Sequence, residues 1–123
     1  MVKVNYFVKE NKIERIEILG HSEFADYGQD IVCASISSIV ITTVNACLKL
    51  DEKSIKHVQN EGVIITVLKH SKEIDTLINN MIDLLTELSK DYKENIKIGG
   101  GNCVWINAIK YTIICAQKRT RFN

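Results

Sequence analysis

Two stretches near the start of the chain alternate apolar and polar residues: Val2, Val4, Tyr6 and Val8, then Ile13, Ile16 and Ile18. Glu10-Asn11-Lys12 separates them, so the pattern predicts a β-hairpin over residues 2–8 and 13–19. Between 31 and 49, Ile31, Val32, Ala34, Ile36, Ile39, Val40, Val44, Ala46 and Cys47 predict a helix buried on most of its sides. Its many β-branched residues lower helix propensity, so packing must hold it. Residues 55–59 and 63–68 flank Asn60-Glu61-Gly62 and predict a second hairpin, with Val63 to Leu68 as a well-covered inner strand. Ser71 suits an N-cap, and Glu73 and Asp75 suit the positive end of a helix dipole. Ile74, Leu77, Ile78, Met81, Ile82, Leu85, Leu88 and Tyr92 then keep the three-and-four spacing of one buried stripe. Asn95 to Ile98 can add a short strand. The order ββαββα, joined by hairpins rather than crossovers, implies an α+β fold with a mostly antiparallel sheet and two helices.

Length and composition narrow the class. A chain of 123 residues supports one modest core. Met1 to Phe7 alternates and soon meets Lys9 and Glu10, unlike a signal peptide, and no uninterrupted apolar run approaches the roughly 18 residues of a membrane span. The expectation is a cytoplasmic protein with no membrane partner. Cys33, Cys47, Cys103 and Cys115 are then expected as thiols rather than a disulfide framework.

The net charge of +1 hides an asymmetry: residues 1–98 carry 12 Lys and Arg against all 15 acids, and residues 99–123 carry four cations alone. Gly99-Gly100-Gly101 stands at this break, which divides the chain into a domain over 1–98 and a tail over 99–123 with no assignable role. An acidic body with four tail cations offers no electrostatic footprint for nucleic acid. The cysteines show no Cys-x-x-Cys, there is no His-x-x-x-His, and no glycine-rich phosphate loop is present. Neither a metal nor another cofactor is expected.

The remaining chemistry concentrates in residues 20–37. His21 follows Gly20 at the end of a predicted strand, and Cys33 stands near the start of a predicted helix. With Asp30 as N-cap, Cys33 falls in the first turn, where unpaired amides and the dipole favour a thiolate and suit a developing oxyanion. His21 is placed to take the thiol proton and later protonate a leaving amine. Asp26 and Glu23 are candidates to orient His21, although loop carboxylates are more often simply solvated. Ser37, one turn after Cys33 on the same helix face, either orients the site or satisfies a backbone carbonyl. A cysteine on an apolar helix is more often a small core residue, so these residues alone leave a core thiol, a redox sensor and a nucleophile open.

Gly20-His21-Ser22, then Tyr27-Gly28-Gln29-Asp30-Ile31-Val32-Cys33-Ala34 and Ser37, resemble the ribosomal-processing cysteine protease family, Prp. The resemblance spans about residues 1–98 and is sharpest over 20–38. It implies a homodimeric cysteine endopeptidase that removes the N-terminal extension of a large-subunit ribosomal protein, the twenty-seventh in bacterial naming, after a pair of phenylalanines. It assigns His21 and Cys33 as catalytic, Ser37 as supporting, and Gly20 as the glycine that lets the histidine loop move. Phe24, Tyr27 and Ile31 are then the candidate substrate-binding residues. The family usually has alanine where Ser22, Ser35 and Ser38 stand, small exchanges that leave the chemistry intact. The alternative is an inactive relative that only binds ribosomal protein precursors.

Overall fold

The computed structural model of the chain describes residues 1–20, 27–59 and 62–102. Its elements are β1 (Val2–Lys9), β2 (Lys12–Leu19), α1 (Tyr27–Leu50), β3 (Ile55–Gln59), β4 (Gly62–Val67), α2 (Lys72–Asp91) and β5 (Ile96–Asn102). The strands form one sheet in the order β3-β4-β2-β1-β5. All neighbours are antiparallel except β1 and β5. The α+β fold, both hairpins and both helices therefore stand as the residue pattern implies, except that α1 buries one stripe rather than most of its sides, leaving Ile31, Ile41 and Leu50 exposed.

Glu10 and Asn11 both have positive φ, 53° and 65°, and form the two-residue turn of the first hairpin. The uneven spacing of Ile13 and Ile16 also has a cause. Phe7 pairs with Arg15 but Val8 pairs with Ile13, so Glu14 is an extra residue in β2. This bulge keeps both isoleucines in the core and gives Glu14 a separate direction.

Alternate residues of the sheet, among them Val2, Val4, Ile16, Ile18 and Ile65, pack under the two helices. From α1 come Val32, Ile36, Val40, Val44 and Cys47; from α2 come Ile74, Ile78, Met81, Ile82 and Leu85. Ser71 caps α2 as its position suggests, its hydroxyl accepting from the Ile74 amide at 3.1 Å. Ser54 is fully buried yet satisfied: its hydroxyl donates to the Cys47 carbonyl, and its own carbonyl accepts from the amides of Leu68 and Lys69. One serine thus ties the end of α1 to both strands of the second hairpin.

Three expectations change. First, α1 begins at Tyr27, four residues before the expected start, so Asp30 lies inside the helix rather than at its cap. Second, β5 continues through Gly99, Gly100 and Gly101 to Asn102, each glycine in register with β1. The glycine run is a strand edge rather than a joint, and the reason is steric. Gly100 opposes Tyr6, and a Cβ there would lie 2.1 Å from the tyrosine ring. Third, counting its serines and threonines, Ile31–Leu50 is long and apolar enough to cross a membrane by length and composition. In this fold one stripe of it, Val32, Ile36, Val40, Val44 and Cys47, packs in the core beneath the sheet and α2, and the rest of its surface is more exposed.

At the sheet end remote from Gly20, His70 joins two elements. Its Nδ1 lies 2.6 Å from Asp75 Oδ1 and its Nε2 lies 2.8 Å from the bulged Glu14 Oε2. Partial burial works against the imidazolium, but the hydrogen bonds to Asp75 and Glu14 outweigh it and raise the His70 pKa. A group raised on folding stabilises fully below its unfolded value of about 6.5 and loses that contribution as pH rises through its folded value. His70→Gln is expected to lower stability by about 1.5 kcal/mol at pH 5.5 and by less at pH 8.5, read by urea unfolding. An equal loss at both pH values would refute the charged sandwich.

Candidate functional site

Gly20 ends β2 with φ +83°, in the left-handed region that favours glycine. A Cβ at this position would also lie 2.6 Å from the Met1 carbonyl oxygen. The chain therefore leaves the sheet at a fixed place and angle, and the next residue is His21. His21, Ser22, Glu23, Phe24 and Asp26 lie outside the described residues, as do Cys103, Cys115 and the chain after Asn102.

The described chain resumes at Tyr27, the first residue of α1. Cys33 is half-buried on this helix and Ser37, one turn later, is also half-buried. Tyr27 and Asp30 lie in the first turn, and Ile31 is 39% exposed. Ser35 sends its hydroxyl to the Ile31 carbonyl at 2.9 Å, so it is spent within the helix. Cys47 is fully buried, and burial pushes its thiol pKa up, as expected of an inert core residue.

The earlier helix start changes the chemistry at Cys33. As the seventh helical residue, it has passed the first turn, where dipole effects are concentrated. Its own amide is within reach of an intrahelical acceptor. The unpaired amides belong to Tyr27, Gly28 and Gln29, one turn earlier. Because helical side chains tilt toward the N-terminus, the Cys33 thiol leans toward that turn.

Beyond Ser37 lies a groove of about 130 Å³ between α1 and the second hairpin. Its floor is Ile18, Val63, Gln59 and His57; its α1 wall includes Ile36, Ser37, Val40, Ile41, Val44 and Asn45. Ile18, Val63 and Gln59 are in register with one another across β2, β4 and β3, at the end of the sheet where Gly20 stands. The residue pattern places His57 in the first strand of the second hairpin and gives no sign of the groove. The available signal was the alternation of Ile55, His57 and Gln59, which puts all three on the helix side. Among the described residues, no three His, Cys, Asp or Glu side chains are placed to hold a metal ion.

The family model for the cysteine protease Prp matches residues 1–97. The chain belongs to the Prp family of cysteine proteases. The ribosomal processing cysteine protease Prp of Staphylococcus aureus is 30% identical over 103 residues, covering 80% of this chain and 97% of the relative. Its Bacillus subtilis counterpart is 31% identical over 90 residues, covering 67% and 80% respectively. Among solved structures, an S. aureus Prp in complex with a substrate peptide superposes with a TM-score of 0.74 at 25% identity, covering 80% of this chain and 97% of that one. A second, with a covalently linked product peptide, gives 0.72 at 25% identity and the same coverage. The protein is thus a cysteine protease of the Prp family.

Proposed function

We propose that this chain removes the N-terminal extension of a large-subunit ribosomal protein, the twenty-seventh in bacterial naming, with Cys33 as nucleophile and His21 as base and acid. The observation that carries this reading is the half-buried Cys33 thiol on the helix that directly follows the Gly20-His21 exit from the sheet. The S. aureus relative, solved with a substrate peptide, supports a peptide partner here as well. His21 accepts the Cys33 proton, and the sulfur adds to the scissile carbonyl carbon. The C–N bond then breaks, His21 returns the proton to the leaving amine, and a thioester remains. Water attacks the thioester, His21 takes one of its protons, and that proton goes back to sulfur as the new carboxylic acid leaves and ionises to solvent. The first-turn amides of α1 are suited to hold the oxyanion.

The enzyme works in the cytoplasm, where low disulfide content suits a catalytic thiol, and as a homodimer. The sheet face away from the helices supports dimerisation, since among the described residues no element covers it and Leu19 and Val58 are exposed. The test is intact mass of the ribosomal protein precursor before and after incubation. A mass loss equal to the extension through its paired phenylalanines is expected, and replacing the pair with alanines is expected to prevent it. An unchanged precursor that still binds would favour a binding module, and cleavage elsewhere would overturn the substrate assignment.

A further inference from the structure

We infer that the cavity between the first hairpin turn and α2 is a binding site for a carboxylate carried on a small, branched apolar body. Its volume is about 220 Å³, and it is lined by Asn11, Lys12 and Ile13 from the hairpin and by Asp75, Ile78 and Asn79 from α2. Ile13 stands at the start of β2 and Gly20 just past its end, roughly 20 Å apart at about 3.3 Å per residue. The site is therefore separate from the Cys33 region and does not depend on the catalytic reading.

Charge and hydrogen bonding select the polar end of the guest. Among the described residues, the side chains of Asn11, Lys12 and Asn79 have no hydrogen-bond or ion-pair partner, so one ammonium and two carboxamides are available at the cavity. Such donors complement a carboxylate, which only accepts, and the ammonium makes that contact charge-assisted. The carboxylate in the lining, Asp75, already has a counter-ion. Its Oδ1 lies 2.6 Å from His70 Nδ1, and His70 Nε2 lies 2.8 Å from Glu14 Oε2. A guest ammonium would have to compete with that imidazolium for Asp75 and would meet Lys12 as a like charge. Ile13 and Ile78, both buried, supply the apolar surface for the rest of the guest. Size limits that body. A cavity of about 150 Å³ holds a benzene ring, so this one holds roughly half as much again, about eight or nine heavy atoms. A branched acid of about six carbons meets both limits.

The test titrates 4-methylpentanoate into the full chain at about pH 6.5, where the raised pKa of His70 keeps its imidazole largely charged. Two further probes separate the alternatives: 4-methylpentanamide, the neutral isostere, and acetyl-Gly-Gly-Leu, which presents a similar body and carboxylate at a peptide end. Saturating shifts of the Ile13 and Ile78 methyl resonances are expected with the acid, at a Kd of about 1 mM or below. The amide should bind at least about tenfold more weakly. Lys12→Gln removes the cation and Asn79→Asp adds a like charge at nearly constant size. Both positions are exposed, so thermal unfolding should match wild type. Each variant is expected to weaken the acid about tenfold, and Asn79→Asp should leave the amide within about twofold. Equal binding of acid and amide, shifts that are absent or do not saturate, or acid binding unmoved in either variant would overturn the site. Tighter binding of the peptide assigns the site to a chain terminus, and tighter binding of the free acid assigns it to a small metabolite; either order supports a carboxylate guest.

Discussion

Cys33→Ala is expected to lower kcat for the precursor peptide by about 10⁴-fold or more while leaving the fold and peptide binding in place. The magnitude follows from covalent catalysis: without sulfur no thioester forms, and a methyl group offers neither nucleophile nor proton. Because α1 starts at Tyr27, Cys33 has left the first turn, and the dipole alone does little to ionise it. In the proposed mechanism, activation therefore rests on His21. His21→Ala should reduce kcat to a similar degree and slow iodoacetamide labelling of Cys33 at neutral pH. The double variant should be little worse than either single one, since the two residues act as a unit. Stopped peptide assays with calibrated mass spectrometry cover the range. Turnover within tenfold of wild type in Cys33→Ala would remove the sulfur from the mechanism, and additive losses would show that the two side chains act separately.

The candidate pair is legible in the sequence because strand periodicity before Gly20 and helix periodicity after Ile31 bracket it. Elements whose information is local were equally visible. The spacing of Ile74, Ile78, Met81, Ile82 and Leu85, with Ser71 ahead of it, marks both the face of α2 and its start. What depended on distant partners was not visible. Asp30 looks like a cap because an aspartate before an apolar run usually is one. Here the helix extends a further turn, through Gly28, before that signal. The glycine run resembles a linker until the Tyr6 ring is known to lie against Gly100. The unit matched to the family ends at residue 97, yet the strand runs to Asn102. His57 and Gln59 gain their place in the groove only from pairing with β4, which brings Val63 and Ile18 beside them. Composition carries none of that.

Gly20→Ala is expected to lower stability by about 2–3 kcal/mol and kcat by about 10- to 100-fold, the larger share falling on kcat rather than KM. Two independent costs combine. A left-handed backbone costs an ordinary residue about 1–2 kcal/mol, and the new methyl would sit 2.6 Å from the Met1 carbonyl oxygen, against backbone that cannot rotate away. For a domain of this size each kcal/mol shifts Tm by about 4–8 °C, so a fall of about 10–20 °C is expected. The activity loss arises because relief of the clash must move either the β1 start or the exit to His21. A misplacement of about 1 Å at a catalytic group costs about 10²-fold. Substitution with other residues separates the two costs. Asparagine tolerates the left-handed region but keeps the clash, so Gly20→Asn should equal or slightly exceed Gly20→Ala in stability. Gly20→Val, with a branched Cβ, should be the least stable of the three. A valine variant that unfolds and turns over like wild type would mean that the angle at which the chain leaves β2 does not position the histidine, and the link from backbone geometry to catalysis would have to be sought elsewhere.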